Sequence, residues 1–371
     1  MFSALDHAMM ARALRLAERG RYWARPNPHV GCVITHGEQV VGEGFTQPPG
    51  QGHAEVQALA QAGERARGAT AYVTLEPCAH FGRTPPCADA LISAGVSRVV
   101  VALEDPDPRV SGGGAQRLRD AGVQVEVGLL AGQVERQLAG FLLRQRRGRG
   151  RLRTKIAMSL DGRTGMASGE SQWITGPAAR ADVQRLRAES CAVVTGIGTV
   201  LADDCALTVR ADELHSDAPL PPPAQRALRV VADRRLRTPP QARVLAGEQP
   251  SLLLWGGEGI SPAALAAETT VVAVQNDALD PAAMLKVLAG RDCNDILLES
   301  GPTLVGAFIR AALVDELIVY IAPRLLGSQA RPMLDLPLER MSEALDLQIS
   351  DRRQVGNDLR ITLTPAVSSA D

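Results

Sequence analysis

His53 and, two residues on, Glu55 are followed along the chain by Pro77-Cys78 and Cys87. No other feature limits so strongly what this chain can fold into. One imidazole and two thiols are the ligand set of a zinc with an open fourth position. Three distant segments must therefore converge on one point. Glu55 is not needed as a ligand. It is close enough in sequence to His53 to serve water held on the metal. His53 and Glu55 precede an apolar, helix-spaced run, and residues two apart do not share a helix face, so their roles must differ.

The order His-x-Glu … Pro-Cys … Cys is that of zinc nucleobase deaminases, in which the glutamate is the general acid/base. Here eight residues, Ala79 to Pro86, separate the cysteines instead of two. A zinc in such a site lowers the pKa of bound water towards neutrality. Glu55 would take the water proton and pass it to a ring nitrogen and the leaving ammonia. The target is a ring carbon bearing an amino group. Lone histidines and cysteines are more often structural, and Cys32, inside an apolar run, reads as core.

With 371 residues the chain suggests two domains and needs no disulfide staples. Its net charge of −1 gives no support for nucleic-acid or membrane-surface binding. No apolar run is long enough for a membrane span. Met1 to His7 lacks the basic and apolar regions of a signal peptide. The six scattered cysteines then read as thiols or metal ligands in a reducing, cytoplasmic compartment.

In chain order, a helix is expected over Asp6–Glu18, and a hairpin over Val30–Ile34 and Gln39–Glu43. A helix from His53 to Ala60 would place His53 and Glu55 in its first turn. After a strand at Ala71–Leu75, Pro77 is expected to open a helix, putting Cys78 at a helix N-terminus that favours thiolate. Helices and strands alternate through Val127, which implies an α/β sandwich on a mixed sheet. Arg144 to Arg153 carries six arginines and reads as a solvated linker, so the domains are placed at 1–146 and 147–371.

Beyond it, strands are expected at Leu152–Met158, Ala192–Thr195, Arg229–Ala232, Leu252–Trp255, Thr270–Val274, Asp295–Glu299, Leu317–Ala322 and Asp358–Pro365. Thr175 is expected to cap a helix over Ala178–Arg187. Two strand–glycine–helix junctions, Gly196-Ile197-Gly198-Thr199 and Ser300-Gly301-Pro302-Thr303-Leu304, suit phosphate groups. No Gly-x-Gly-x-x-Gly follows a strand with an acidic residue about twenty positions on, so a Rossmann domain is not expected.

Several motifs together resemble the bifunctional riboflavin-biosynthesis deaminase/reductase family. They are Pro26-Asn27-Pro28-x-Val30-Gly31-Cys32-Val33, His53-Ala54-Glu55-Val56, Glu76-Pro77-Cys78-Ala79-His80-Phe81-Gly82-Arg83-Thr84-Pro85-Pro86-Cys87 and Asp105-Pro106-Asp107-Pro108-x-Val110-x-Gly112. Lys155-x-Ala157-x-Ser159-x-Asp161-Gly162-Arg163, Ser168-Gly169-Glu170-Ser171-x-Trp173-Ile174-Thr175, Ala202-Asp203-Asp204-x-x-Leu207-Thr208-Val209-Arg210, Glu299-x-Gly301-Pro302-Thr303-Leu304 and Asp315-Glu316-Leu317 are similar to that family's reductase half. Thr46, Asp107, Gly113, Ala139, Gly165 and Cys205 depart from the family pattern, and none is a metal ligand or Glu55.

The resemblance implies an N-terminal cytidine-deaminase-like three-layer α/β/α domain and a C-terminal dihydrofolate-reductase-like α/β domain. It implies zinc-dependent hydrolytic deamination of 2,5-diamino-6-ribosylamino-4(3H)-pyrimidinone 5′-phosphate, then NADPH-dependent reduction of the ribosyl group to ribityl. His53, Cys78 and Cys87 would hold Zn2+, with Glu55 catalytic. Ala157, Trp173, Thr199, Asp203, Gly301, Pro302, Thr303 and Leu304 would contact NADPH. Asn27, Ser171, Arg187, Leu207, Arg210 and Glu299 would contact substrate, with Arg187 and Arg210 suited to its phosphate. His80 or Arg83 would add ribose-phosphate contacts, and Lys155 and Asp161 would position the ribose. The expected partner is this small molecule, in a homo-oligomeric enzyme that binds neither nucleic acid nor membrane.

Two other classes compete: a nucleic-acid base deaminase with an appended module, and a non-catalytic zinc scaffold. The near-neutral charge and missing aromatic–basic interleaving weigh against the first. Glu55 weighs against the second, since a structural zinc needs no acid/base.

Overall fold

Ser3 and Asp6 form a capping box that starts α1 (Ala4–Ala17): the Ser3 hydroxyl accepts the Asp6 N–H, and the Asp6 carboxylate accepts the Ser3 N–H at 2.8 Å. The computed structural model describes residues 1–79, 81, 85–107, 111–214, 220–258 and 267–366. It divides into two compact units, Met1–Arg147 and Gly148–Asp371.

In the first unit α1 is followed by β1 (Gly31–His36), β2 (Gln39–Phe45), α2 (Ala54–Ala62), β3 (Thr70–Leu75), α3 (Cys87–Ser93) and β4 (Arg98–Leu103). Then come α4 (Gly113–Asp120), β5 (Gln124–Val127), α5 (Ala131–Gln137) and α6 (Ala139–Arg147). The sheet order is β2-β1-β3-β4-β5. β1 is antiparallel to β2 and β3, while β3, β4 and β5 run parallel, so the sheet is mixed.

Glycines set how closely two helices lie on this sheet. A Cβ on Gly31 would stand 1.9 Å from the Ala13 carbonyl oxygen of α1. Cβ atoms on Gly42 and Gly44 would stand 2.1 and 2.2 Å from the carbonyl oxygens of Ala58 and Ala54 in α2. Gly44 pairs with Cys32, the neighbour of Gly31. Adjacent residues of a strand face opposite sides, so α1 and α2 cover opposite faces and make three layers.

The second unit contains β6 (Arg151–Ser159), β7 (Arg163–Gly165), α7 (Pro177–Glu189), β8 (Ala192–Gly196), α8 (Ile197–Asp203), β9 (Leu228–Ala232), β10 (Ser251–Trp255) and β11 (Glu268–Val271). It continues with β12 (Val274–Gln275), β13 (Ala278–Leu279), α9 (Pro281–Ala289), β14 (Asp295–Leu298), α10 (Pro302–Arg310), β15 (Glu316–Ala322), β16 (Arg331–Pro332), β17 (Leu347–Val355) and β18 (Asp358–Pro365). Nine strands form one sheet in the order β11-β10-β9-β8-β14-β6-β15-β18-β17. The strands from β11 to β15 are parallel, and β18 and β17 add antiparallel pairs at the β15 end. Insertion of β14 between β8 and β6 is a change of strand order of the kind that opens a crevice at the carboxyl ends of parallel strands.

Three local expectations need correction. The strand expected at Thr270–Val274 is two pieces, β11 and β12. Gly176, not Thr175, is the N-cap of α7, and its N–H donates to Asp358 at 2.7 Å. The arginine run contains the boundary between the units, after Arg147, but only Arg146 and Arg147 of its arginines are exposed. Arg144, Arg146 and Arg147 lie in α6. Arg149 bonds Asp315 at 2.6 and 2.8 Å, Arg151 bonds Asp295 at 2.7 Å, and buried Arg153 bonds Glu189 at 3.3 Å. These pairs fix the start of the central strand β6.

Candidate active sites

In the first unit, the glycine face of β2 lets α2 approach the sheet and brings its N-terminus over it. His53 is the N-cap of α2, in extended conformation, and not part of the first helical turn as the sequence suggested. Glu55 does lie in that turn, and it is buried. The sequence also misplaced the cysteines. Cys78 lies in non-helical chain after β3, and it is Cys87, preceded by Pro86 as N-cap, that occupies the first position of a helix. Cys78 still benefits from that helix: its Sγ accepts the Cys87 N–H at 3.3 Å, and its carbonyl accepts the Ala88 N–H at 3.2 Å.

The three donor atoms converge. His53 Nδ1 is 3.2 Å from Cys87 Sγ and 3.7 Å from Cys78 Sγ, and all three ligand atoms lie within 4.8 Å of one another. A tetrahedral zinc with Zn–S and Zn–N bonds of about 2.3 and 2.0 Å needs ligand separations of roughly 3.5–3.8 Å. The donor set fits that ion in chemistry and spacing. Among the described residues it is the one group of His, Cys, Asp and Glu side chains so arranged.

Electrostatics separate the roles. Cys87, with its N–H on the sulfur, and His53 outweigh burial and hold the Cys78 thiol well below the usual thiol range. The neighbouring Cys78, with burial, pushes Cys87 upward. Burial raises the Glu55 carboxyl to about 7 against the pull of His53. A carboxyl that titrates near neutrality suits proton transfer in both directions.

Asn27 lies half-buried, with its N–H donating to the Ala24 carbonyl at 2.8 Å. Thr46 is buried and spent on the backbone, its hydroxyl accepting the Val30 N–H at 2.9 Å. His80 and Arg83 lie outside the described residues.

In the second unit a cleft of about 950 Å3 opens at the carboxyl ends of β6, β8, β9 and β14. Ala157, Trp173, Thr199 and Asp203 line it, as do Gly301, Pro302, Thr303 and Leu304 at the start of α10. Ser171, Arg187, Leu207, Arg210 and Glu299 line it too. Ser171 Oγ donates to Asp203 at 3.1 Å.

Arg187 and Glu299 form a buried bidentate pair, and Arg187 also donates to the Thr208 carbonyl at 2.9 Å. Lys155 Nζ is 3.5 Å from the same carboxylate. Burial alone would raise Glu299, but Arg187 and Lys155 hold it at about 2. The Arg187 fork is thus occupied by Glu299, whereas Arg210 is exposed and makes a surface pair with Glu213 at 2.9 Å. Asp161 is not in the cleft lining; it accepts the N–H groups of Leu326 and Gly327 and holds that loop. Cys205 lines the cleft, and burial pushes its thiol up to about 12.

Sequence reading missed Arg180 and Gln184. With Val183 and Arg187 they form one face of α7, at helical spacing, and all four line the cleft. That spacing was the available signal. The Arg180 guanidinium lies 4.7 Å over the Trp173 ring.

Comparisons with known proteins find relatives of both units. The family model for the cytidine and deoxycytidylate deaminase zinc-binding region matches residues 3–103, and that for the RibD C-terminal domain matches residues 151–361. The riboflavin biosynthesis protein RibD of Escherichia coli K12 is 48% identical over 365 residues, covering 97% of this chain and all of that protein. A solved Acinetobacter baumannii RibD is 46% identical, with a TM-score of 0.89 over 98% of this chain and 99% of that one. A Thermotoga maritima structure, described as a diaminohydroxyphosphoribosylaminopyrimidine deaminase/5-amino-6-(5-phosphoribosylamino)uracil reductase, is 28% identical with a TM-score of 0.85, over 98% of this chain and 99% of that one. The chain belongs to the RibD family of riboflavin biosynthesis, with a zinc-binding deaminase domain and a reductase domain on one polypeptide.

Proposed function

We propose that residues 1–146 deaminate 2,5-diamino-6-ribosylamino-4(3H)-pyrimidinone 5′-phosphate, and that residues 147–371 then reduce its ribosyl group to ribityl, giving 5-amino-6-ribitylamino-uracil 5′-phosphate. The observation that carries the reading is the convergence of His53, Cys78 and Cys87 within 4.8 Å beside buried Glu55.

His53, Cys78 and Cys87 hold the zinc, which supplies an activated water near neutral pH. Glu55 would accept one proton of that water and give it to the ring nitrogen, and would then carry the remaining hydroxyl proton to the departing amine, which leaves as ammonia. Burial keeps Glu55 basic enough for the first transfer and acidic enough for the second. Asn27 is assigned to the pyrimidine.

In the reductase, bound NADPH supplies the hydride, and the protein orients it. Ala157, Trp173, Thr199, Asp203 and the α10 start, Gly301 to Leu304, are assigned to the dinucleotide. The free N–H groups of that helix start suit its phosphates. Ser171, Arg187, Leu207, Arg210 and Glu299 are assigned to the ribosyl phosphate. Arg187 acts through Glu299, whose carboxylate it keeps ionised. The enzyme is assigned to the cytoplasm as a homo-oligomer that binds neither nucleic acid nor membrane; among the described residues no helix is long and apolar enough to cross a membrane.

A coupled assay on zinc-quantified protein tests the reading. Ammonia release on adding the diaminopyrimidine ribosyl phosphate, followed by NADPH oxidation, is the expected sequence. Oxidation that precedes ammonia release, or neither event from folded zinc protein, would refute it.

A further inference from the structure

Glu76 is a buried carboxylate with no role in the chemistry above. It directly follows the last residue of β3 and stands two residues before Cys78. Its Oε2 accepts the N–H of Asp105 at 3.2 Å and of Gly112 at 3.0 Å, and its Oε1 accepts the N–H of Ala115 at 2.9 Å. Gly112 is the N-cap of α4 and Ala115 lies in its first turn. These are N–H groups that a helix leaves unsatisfied at its start. α4 has no side-chain cap of its own, so a residue just past the end of β3 caps it.

The same helix start touches the next residue as well. A Cβ on Gly114 would stand 1.8 Å from the Pro77 carbonyl oxygen, and one on Gly113 would meet Ala79 at 3.6 Å. Cys78 thus sits on a non-helical segment held from two sides. The start of α3 binds it through the N–H groups of Cys87 and Ala88. The start of α4 binds it through Glu76 and the contact with Pro77.

We propose that Glu76 is a positioning residue for the metal centre: by capping α4 it fixes the backbone that aims Cys78 at the zinc. The proposal rests on the reading that His53, Cys78 and Cys87 hold that ion. Loss of Glu76 frees one side of the Cys78 segment, so the ion leaves faster and the deaminase loses turnover. In Glu76→Gln the remaining oxygen can keep the Asp105 and Gly112 bonds, but the amide NH2 then faces the Ala115 N–H.

The test is the rate of zinc transfer from purified full-length protein to a chromogenic chelator, beside deaminase kcat and KM, reductase turnover and thermal unfolding. Wild type should release zinc slowly. Glu76→Ala should release it at least tenfold faster, with a matching fall in deaminase kcat and unchanged reductase turnover. Glu76→Gln should fall between. Zinc release and kcat within twofold of wild type in folded Glu76→Ala would overturn the proposal, even if its melting point dropped. Should Glu76→Ala not fold, Glu76→Gln decides: wild-type zinc release from it overturns the proposal, and faster release supports it. A wild type that carries no zinc would overturn both this proposal and the zinc reading, whereas unchanged variants of a zinc-loaded wild type overturn this one alone.

Discussion

Arg187 donates two hydrogen bonds to Glu299, from Nε at 2.6 Å and from Nη2 at 3.1 Å, in a place where both side chains are largely buried. Lys155 approaches the same carboxylate. Removing one partner of a buried pair leaves the others charged and desolvated, which costs about 3–5 kcal/mol. Glu299→Gln should therefore destabilise the second unit by about that amount at pH 7 and abolish reduction. The Glu299 carboxyl falls from 4.5 to about 2 on folding, a shift worth roughly 3 kcal/mol. A depressed carboxyl stabilises above its unfolded value and loses that contribution as pH falls through the folded one. The gap between wild type and Glu299→Gln in urea unfolding should be full above pH 4.5 and narrow below it, towards about 2. A gap independent of pH would refute the assignment.

Glu55→Gln keeps the size of the side chain and removes its proton transfer. Deamination should fall by about 100- to 10,000-fold. Zinc content should stay at the wild-type level, because Glu55 is not in the donor set. NADPH oxidation with the deaminated substrate should be unchanged. Ammonia release from the variant at the wild-type rate would remove Glu55 from the mechanism, and lost zinc would make it a ligand.

Zinc removal separates the two activities. The donor atoms belong to the first unit and the 950 Å3 cleft to the second. A strong chelator should stop ammonia release and leave reduction of deaminated substrate intact, and added zinc should restore the first. Loss of both activities would mean that the metal also supports the second unit.

The donor set is legible in sequence because ligand chemistry names residue types wherever the chain carries them. The placement of those residues is less legible. Pro77-Cys78 and Pro86-Cys87 are both proline–cysteine pairs, and local rules do not say which one opens a helix. Only Pro86 does, because the β3 exit is taken up by Glu76 and Pro77 against α4. The arginine run looks solvated until folding delivers Asp315, Asp295 and Glu189 from distant segments. β17, exposed along nearly its whole length, lacks the alternation that marks a half-buried strand, and only its pairing with β18 defines it. α9 carried readable signals in the cap Asp280, in Pro281 and in the helix-spaced Met284, Leu285 and Leu288.

The glycine face under α2 gives the last prediction. Gly44 and Gly42 lie beneath successive turns of that helix, and a methyl on Gly44 would meet the Ala54 carbonyl, one residue from both His53 and Glu55. The backbone cannot give way as a flexible side chain would, so the N-terminus of α2 must lift. A methyl on Gly42 lifts the next turn, at Ala58, farther from the reacting groups. Overpacking of this kind costs about 1–3 kcal/mol, which both variants should show as lower melting of the first unit. A displacement of about 1 Å at a catalytic group can cost roughly 100-fold in rate. Gly44→Ala should therefore lose far more deaminase turnover than Gly42→Ala at similar stability, with the reductase as an internal control. Equal losses from the two variants would mean that stability alone, and not the aim of His53 and Glu55, limits the reaction.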